Sequence, residues 1–138
     1  MSADEEIARF ARLLVQLVRD RAIDECDRLL AGGLRGPRGE RWQSYGQDDT
    51  VREALDALIP DVVDDTLAQL LNAVENDDLP LAWQRSDDSL VTLTDMDPDG
   101  LVGPFMDGTE GWRGVYSAKR FFGPDGRLHS PEDGNVPD

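Results

Sequence analysis

Asp95, Asp97 and Asp99 set carboxylates at alternate positions ahead of Gly100, the pattern that opens a calcium-binding loop. Hard cations take oxygen ligands from such a run, and the glycine permits the sharp turn that wraps the loop. The pattern then breaks. The twelfth position, which should supply a bidentate Glu, is Met106, and Asp107 comes one place late. Pro98-Asp99-Gly100 is by itself a strong turn sequence. The expectation is therefore a turn, with a divalent-metal site at Asp95, Asp97 and Asp99 as the alternative. That alternative would make the chain a small metal-dependent or other carboxylate-dependent enzyme.

Asp61, Asp64 and Asp65 fall at i, i+3 and i+4, so on a helix they project from neighbouring places on one turn. Paired carboxylates perform acid and base chemistry where burial raises one pKa. At a helix N-terminus they need no such role, because the helix dipole favours negative charge there. Partner contact is the second use for them. Histidine chemistry is thin: His129 is the sole imidazole and lies beside Ser130 and Pro131. One Cys and one His cannot supply the three or four ligands of a usual zinc site. Neither GxGxxG nor GxxxxGK[ST] occurs, so the common phosphate-cradling loops are missing. No cofactor is implied. Cys26, the only cysteine, shares a helical apolar pattern with Leu29 and Leu30 and reads as a buried small hydrophobe.

Arg35, Arg38 and Arg41 form a basic island beside Trp42 and Tyr45, superficially the mixture of charge and aromatic stacking that binds single-stranded nucleic acid. The rest of the chain opposes that use. Residues 48–110 hold 17 Asp and Glu against only Arg52 and Arg85, while residues 1–47 and 111–138 each balance, so this middle block carries the whole net charge of −15. Such a field steers a cationic partner and repels nucleic acid or an anionic membrane. The bias to Asp and Arg over Glu and Lys, 21 against 8 and 13 against 1, fits a GC-rich genome or high-salt adaptation. High-salt adaptation would spread acid over the whole surface, and the neutral flanks argue for a local reason.

These residues need elements to hold them. Ser2-Ala3-Asp4-Glu5 has the capping-box form, and a long helix follows with apolar positions Ile7, Phe10, Leu14, Leu17 and Val18. The stripe then moves about a third of a turn to Ile23, Cys26, Leu29 and Leu30, which predicts a bend near residues 20–22 or a change of neighbours. Gly32-Gly33 ends the helix. Residues 32–47, rich in glycine, read as a loop with a short strand at Trp42–Tyr45. Thr50-Val51-Arg52-Glu53 predicts a second helix that stops or kinks at Pro60, and Pro60 opens a third with Val63, Leu67, Leu70 and Val74 on its inner face. Leu79–Trp83 and Leu90–Thr94, separated by a Ser86–Ser89 turn, predict a hairpin. A further strand is expected at Trp112–Tyr116, and a short helix from Ser117 through Phe122.

The expected fold is α+β, with three N-terminal helices packed on a small C-terminal antiparallel sheet, because helices and strands are segregated along the chain. Residues 1–123 form the expected single domain and 124–138 a flexible tail. With no basic-then-apolar leader and no apolar run of about 18 residues, a cytoplasmic protein is expected. The expected function is non-catalytic: an acidic module that binds a basic protein, as a bacterial immunity protein or antitoxin binds a basic, nuclease-like toxin. Its expected contacts are Asp61, Asp64, Asp65, Asp77, Asp78, Asp87 and Asp88, with Trp83 and Trp112 as aromatic anchors unless the core claims them. A structural or regulatory subunit that uses its acidity for solubility is a further possibility.

Overall fold

The computed structural model describes residues 2–97 and 99–131. Ser2 caps α1 (Ala3–Leu13): its hydroxyl accepts from the Glu5 amide, and its own amide donates to the Glu5 carboxylate. The helix runs into a π-helical stretch, Leu14–Arg19, before α2 (Asp20–Leu30). One residue inserted into a helix rotates everything after it by about 100°. That is the physical origin of the displaced stripe, and it lies one turn earlier than expected. It also changes which residues face inward: Val15, Arg19 and Ile23 are buried, whereas Leu17 and Val18 are about half exposed. α2 ends in a Schellman arrangement, with Gly32 at φ +86° and the Gly33 amide donating to the Arg28 carbonyl.

The glycine-rich segment is a helix, α3 (Pro37–Gly46), with Pro37 in its first turn where a missing N–H costs nothing. Its glycines are contacts instead of breakers. A Cβ on Gly39 would meet the Leu34 carbonyl oxygen at 1.9 Å, and one on Gly46 would meet that of Leu30 at 2.2 Å, so α3 lies against the end of α2 only because both lack side chains.

The second and third expected helices are one, α4 (Asp49–Glu75). Asp48 caps it, accepting from the amides of Thr50 and Val51, so the Thr50 capping box does not form. Pro60 sits inside and cannot donate to the Asp56 carbonyl. Arg120 Nε donates to that carbonyl at 2.7 Å, while its two Nη groups bind Asp27 at 2.9 and 3.0 Å. One guanidinium thus replaces the missing helical donor and ties α2 to α4. The inner face of α4 is Pro60, Asp64, Leu67, Leu71 and Val74, so Leu71 takes the place expected for Leu70, which is 38% exposed.

The rest is short. β1 (Ala82–Gln84) and β2 (Leu90–Thr92) form the expected hairpin, with Trp83 opposite Val91. Three helices of one turn follow: α5 (Leu93–Met96), α6 (Val102–Met106) and α7 (Trp112–Tyr116). α7 replaces an expected strand. β3 (Phe121–Phe122) pairs antiparallel with β4 (Leu128–His129) in place of the expected helix at 117–122. The fold is α+β, and its strands form two separate hairpins instead of one sheet. The main core joins Phe10, Leu14 and Val15 to Leu67, Leu71 and Val74 of α4 and to Leu93, Leu101 and Phe105. A smaller core of Ile23, Leu30 and Ile59, with Cys26, Trp42 and Leu55 against it, joins α2, α3 and α4.

The proposed tail boundary at residue 123 falls inside a hairpin. His129 stacks on Phe121 with ring centroids 5.1 Å apart, so the segment through residue 129 belongs to the folded body. Residues 132–138 lie outside the described residues.

Candidate functional site

The inner stripes of two helices each carry one charged residue, and the two meet. Arg19 from the π-helical stretch and Asp64 from α4 are both buried, and Arg19 Nε and Nη2 grip the two Asp64 oxygens at 2.5 and 3.1 Å. Arg113 of α7, also buried, donates to Asp64 Oδ2 at 2.8 Å and to the carbonyls of Phe105 and Met106 that end α6. The remaining Arg19 donors reach Asp20, the Ser117 hydroxyl and the Arg120 carbonyl. Ser117 donates to Asp20, whose other oxygen accepts from the Ala118 amide. Phe121 covers the cluster, with the Arg113 guanidinium 4.8 Å from its ring centre.

Two arginines and two aspartates cancel, and each of these charges is hydrogen-bonded. Burial pushes the Arg113 guanidinium below its ordinary value, and the Asp64 carboxylate opposes the shift. The cluster pins α4, α6, α7 and the π-helical stretch together. Among the described residues the only buried side-chain polar atom without a hydrogen-bond partner is Arg9 Nε.

This corrects the reading of Asp61, Asp64 and Asp65 as one surface group. Asp64 points inward, and only Asp61 and Asp65 are exposed. They also lie mid-helix, well beyond the reach of a helix N-terminus, because Pro60 does not start a helix.

Trp83 and Trp112, offered as core residues or as anchors, are partly buried and pack against the main core. Phe10 stands edge-on to each, at 5.4 and 5.9 Å. Trp83 also donates from Nε1 to Glu6, and the Arg9 guanidinium covers its ring at 4.5 Å. Glu6 is buried and accepts further from the Ser86 hydroxyl and amide, which with Trp83 lower its pKa to about 2. No charge elsewhere in α1 would have marked it, since it sits among Asp4 and Glu5 in sequence.

Asp95, Asp97 and Asp99 do not converge. Asp95 accepts from the Thr92 hydroxyl at the start of α5, and Asp97 accepts from the Asp99 amide, closing the expected turn. Among the described residues no group of three or more His, Cys, Asp or Glu side chains is placed to hold a metal ion. His129 faces Asp125 at 3.7 Å, and Cys26 is half-buried, with burial raising its thiol pKa. Arg35, Arg38 and Arg41 are exposed and form no ion pair with a described residue.

The other acids stay on the surface. Asp77, Asp78, Asp87 and Asp88 are exposed, Asp77 at φ 58° and Asp88 at φ 69° in turns flanking β1 and β2. From Asp61 to the end of α4 at Glu75 is about 21 Å at 1.5 Å per residue, and Asp77 lies beyond that end. The predicted contacts therefore fall in two places, mid-α4 and the hairpin end. Within the acidic block, ion pairs to described residues involve only Asp56 and Asp64; the acids of α1 and α2 pair locally, Glu6 with Arg9, Asp24 with Lys119 and Asp27 with Arg120.

Beside Asp61 is a groove of about 560 Å³, walled by Ala57 and Leu58 of α4, Met106 of α6, and Phe122 and Pro124 of the last hairpin. No helix among the described residues is long and apolar enough to cross a membrane. No family model, curated protein or solved structure matches the chain.

Proposed function

We propose that this is a non-catalytic binding module whose acidic surface docks a basic protein, in the manner of an immunity protein or antitoxin that neutralises a basic, nuclease-like toxin. The observation that carries this reading is the asymmetry of charge pairing. The flanks supply the arginines and the lysine that neutralise acids of α1 and α2, whereas Asp61, Asp65, Asp77, Asp78, Asp87 and Asp88 have no cation within ion-pair distance among the described residues. Unpaired surface acids cost little in water and gain when a cationic surface arrives, mainly as a faster encounter. Among the described residues the deeply buried carboxylates, Glu6, Asp20 and Asp64, are committed to structure, and the exposed aspartates are the ones open to a partner.

Capture on immobilised protein at low salt tests it. The wild-type bait should retain a basic protein that elevated salt releases, and a bait carrying Asp61→Asn, Asp65→Asn, Asp77→Asn and Asp78→Asn should lose it. Asn suits the left-handed backbone at Asp77, where Lys would add strain. Equal retention by both baits would remove the acidic surface from the account.

A further inference from the structure

The geometry points to the groove between α4, α6 and the last hairpin as the socket for an apolar side chain presented by a cationic peptide segment of the partner. This deepens the proposed function and rests on it. The walls are apolar, from Ala57, Leu58, Met106, Phe122 and Pro124. Leu58 is 55% exposed, and Val62, one turn further along α4, is 64% exposed. Leu58 is an exposed large aliphatic side chain that lines the groove, with Val62 just beyond it, and burying such a side chain is worth about 25 cal/mol per Å² removed from water.

Charge selects the occupant. Asp61 flanks the groove from α4, three residues after Leu58, and exposed Asp107 follows Met106 on the opposite wall. Neither pairs with a cation among the described residues, whereas Asp125 on the third wall faces His129. The floor offers nothing to an anion, because Arg113 already donates to Asp64 and to the Phe105 and Met106 carbonyls. A second copy docked groove to groove would bring Asp61 and Asp107 against their own counterparts, a like-charge contact. An apolar residue flanked by Arg or Lys satisfies both walls and rims.

The test uses the full chain, ¹⁵N-labelled, and a capped peptide with paired arginines on either side of a Leu-Leu-Phe core. A control peptide has serines in the core. Chemical-shift changes should centre on Leu58, Asp61, Val62, Met106 and Phe122, and the serine peptide should bind more weakly. Leu58→Gln with Val62→Gln, both exposed, should keep the melting temperature and lose about tenfold in affinity for the Leu-Leu-Phe peptide, as should Asp61→Asn with Asp107→Asn. Shifts centred elsewhere, or equal affinities for both peptides and the aliphatic variant, overturn the groove. If salt-sensitive capture of a basic protein survives such a result, the acidic docking reading stands without the groove; if capture fails while the peptide binds as expected, the reverse holds. A concentration-dependent dimer that the aliphatic variant abolishes overturns the proposal in favour of a second copy as occupant.

Discussion

Asp64 shows what a single carboxylate does when two helices close on it. Removing one partner of a buried charge network leaves the others uncompensated, at a cost of about 3–5 kcal/mol. Asp64→Ala leaves Arg113 without its carboxylate and Arg19 with Asp20 alone, and should lower stability by about that amount in chemical denaturation, while Asp65→Ala, one residue away but exposed, should change it by about 0.5 kcal/mol or less. Glu6 acts differently because its partners are neutral groups as well as Arg9. Its folded pKa, about 2, lies below the ordinary carboxylate value. The unfolded state therefore takes up the proton first as pH falls, and the stabilisation present above about pH 4.3 is lost progressively toward pH 2. Glu6→Gln should flatten the stability profile across that window in urea titrations at successive pH values; an unchanged slope would show that Glu6 does not hold the hairpin to α1.

At the scale of elements, Pro60 and Arg120 form a compensating pair separated by 60 positions in sequence. A double-mutant cycle should show it. Arg120→Met in the native background costs a charged-donor bond to the Asp56 carbonyl, about 1.5–3 kcal/mol, and costs less once Pro60→Ala restores the helical donor. Additive effects would mean that the bond to Asp56 contributes nothing. The same pair explains why α4 was not legible as one helix: Pro60 stops a helix by local rules, and the donor that rescues it comes from residue 120. Similarly, glycines at 39 and 46 read as breakers until the backbone of Leu34 and Leu30 is brought against them. The capping box at Ser2, the stop at Gly32 and the 82–92 hairpin were legible because each is decided within a few residues. For the buried cluster a signal existed: Arg19 interrupts the four-residue spacing of Ala11, Val15 and Ile23, and Asp64 interrupts that of Pro60 and Ala68. Arg113 gave none. The second strand of the last hairpin, β4, falls in the expected tail because the apolar content there is low, yet its His129 stacks on Phe121. Truncation after residue 123 should uncover that ring and cost about 1–3 kcal/mol in a thermal or chemical melt; an unchanged stability would return this segment to the tail.

Across the described residues the buried charges are neutralised by partners, and the exposed acids of residues 48–110, Asp56 apart, form no ion pairs. Some arginines of the flanks pair with Asp27, Glu25 and Asp64, others such as Arg35, Arg38 and Arg41 stay exposed outside the acidic block, and the surface of residues 48–110 is strongly anionic even though one of its aspartates is sealed in the core. A field built from exposed charge is screened over about 8 Å at physiological ionic strength, so its effect belongs mainly to the encounter. The most direct measurement is stopped-flow association between this protein and the basic partner captured at low salt, followed across ionic strength. The association rate should fall steeply as salt rises and lose much of that dependence in the variant with Asn at 61, 65, 77 and 78, with the dissociation rate changing less. An association rate indifferent to salt in the native protein would contradict docking through the acidic surface.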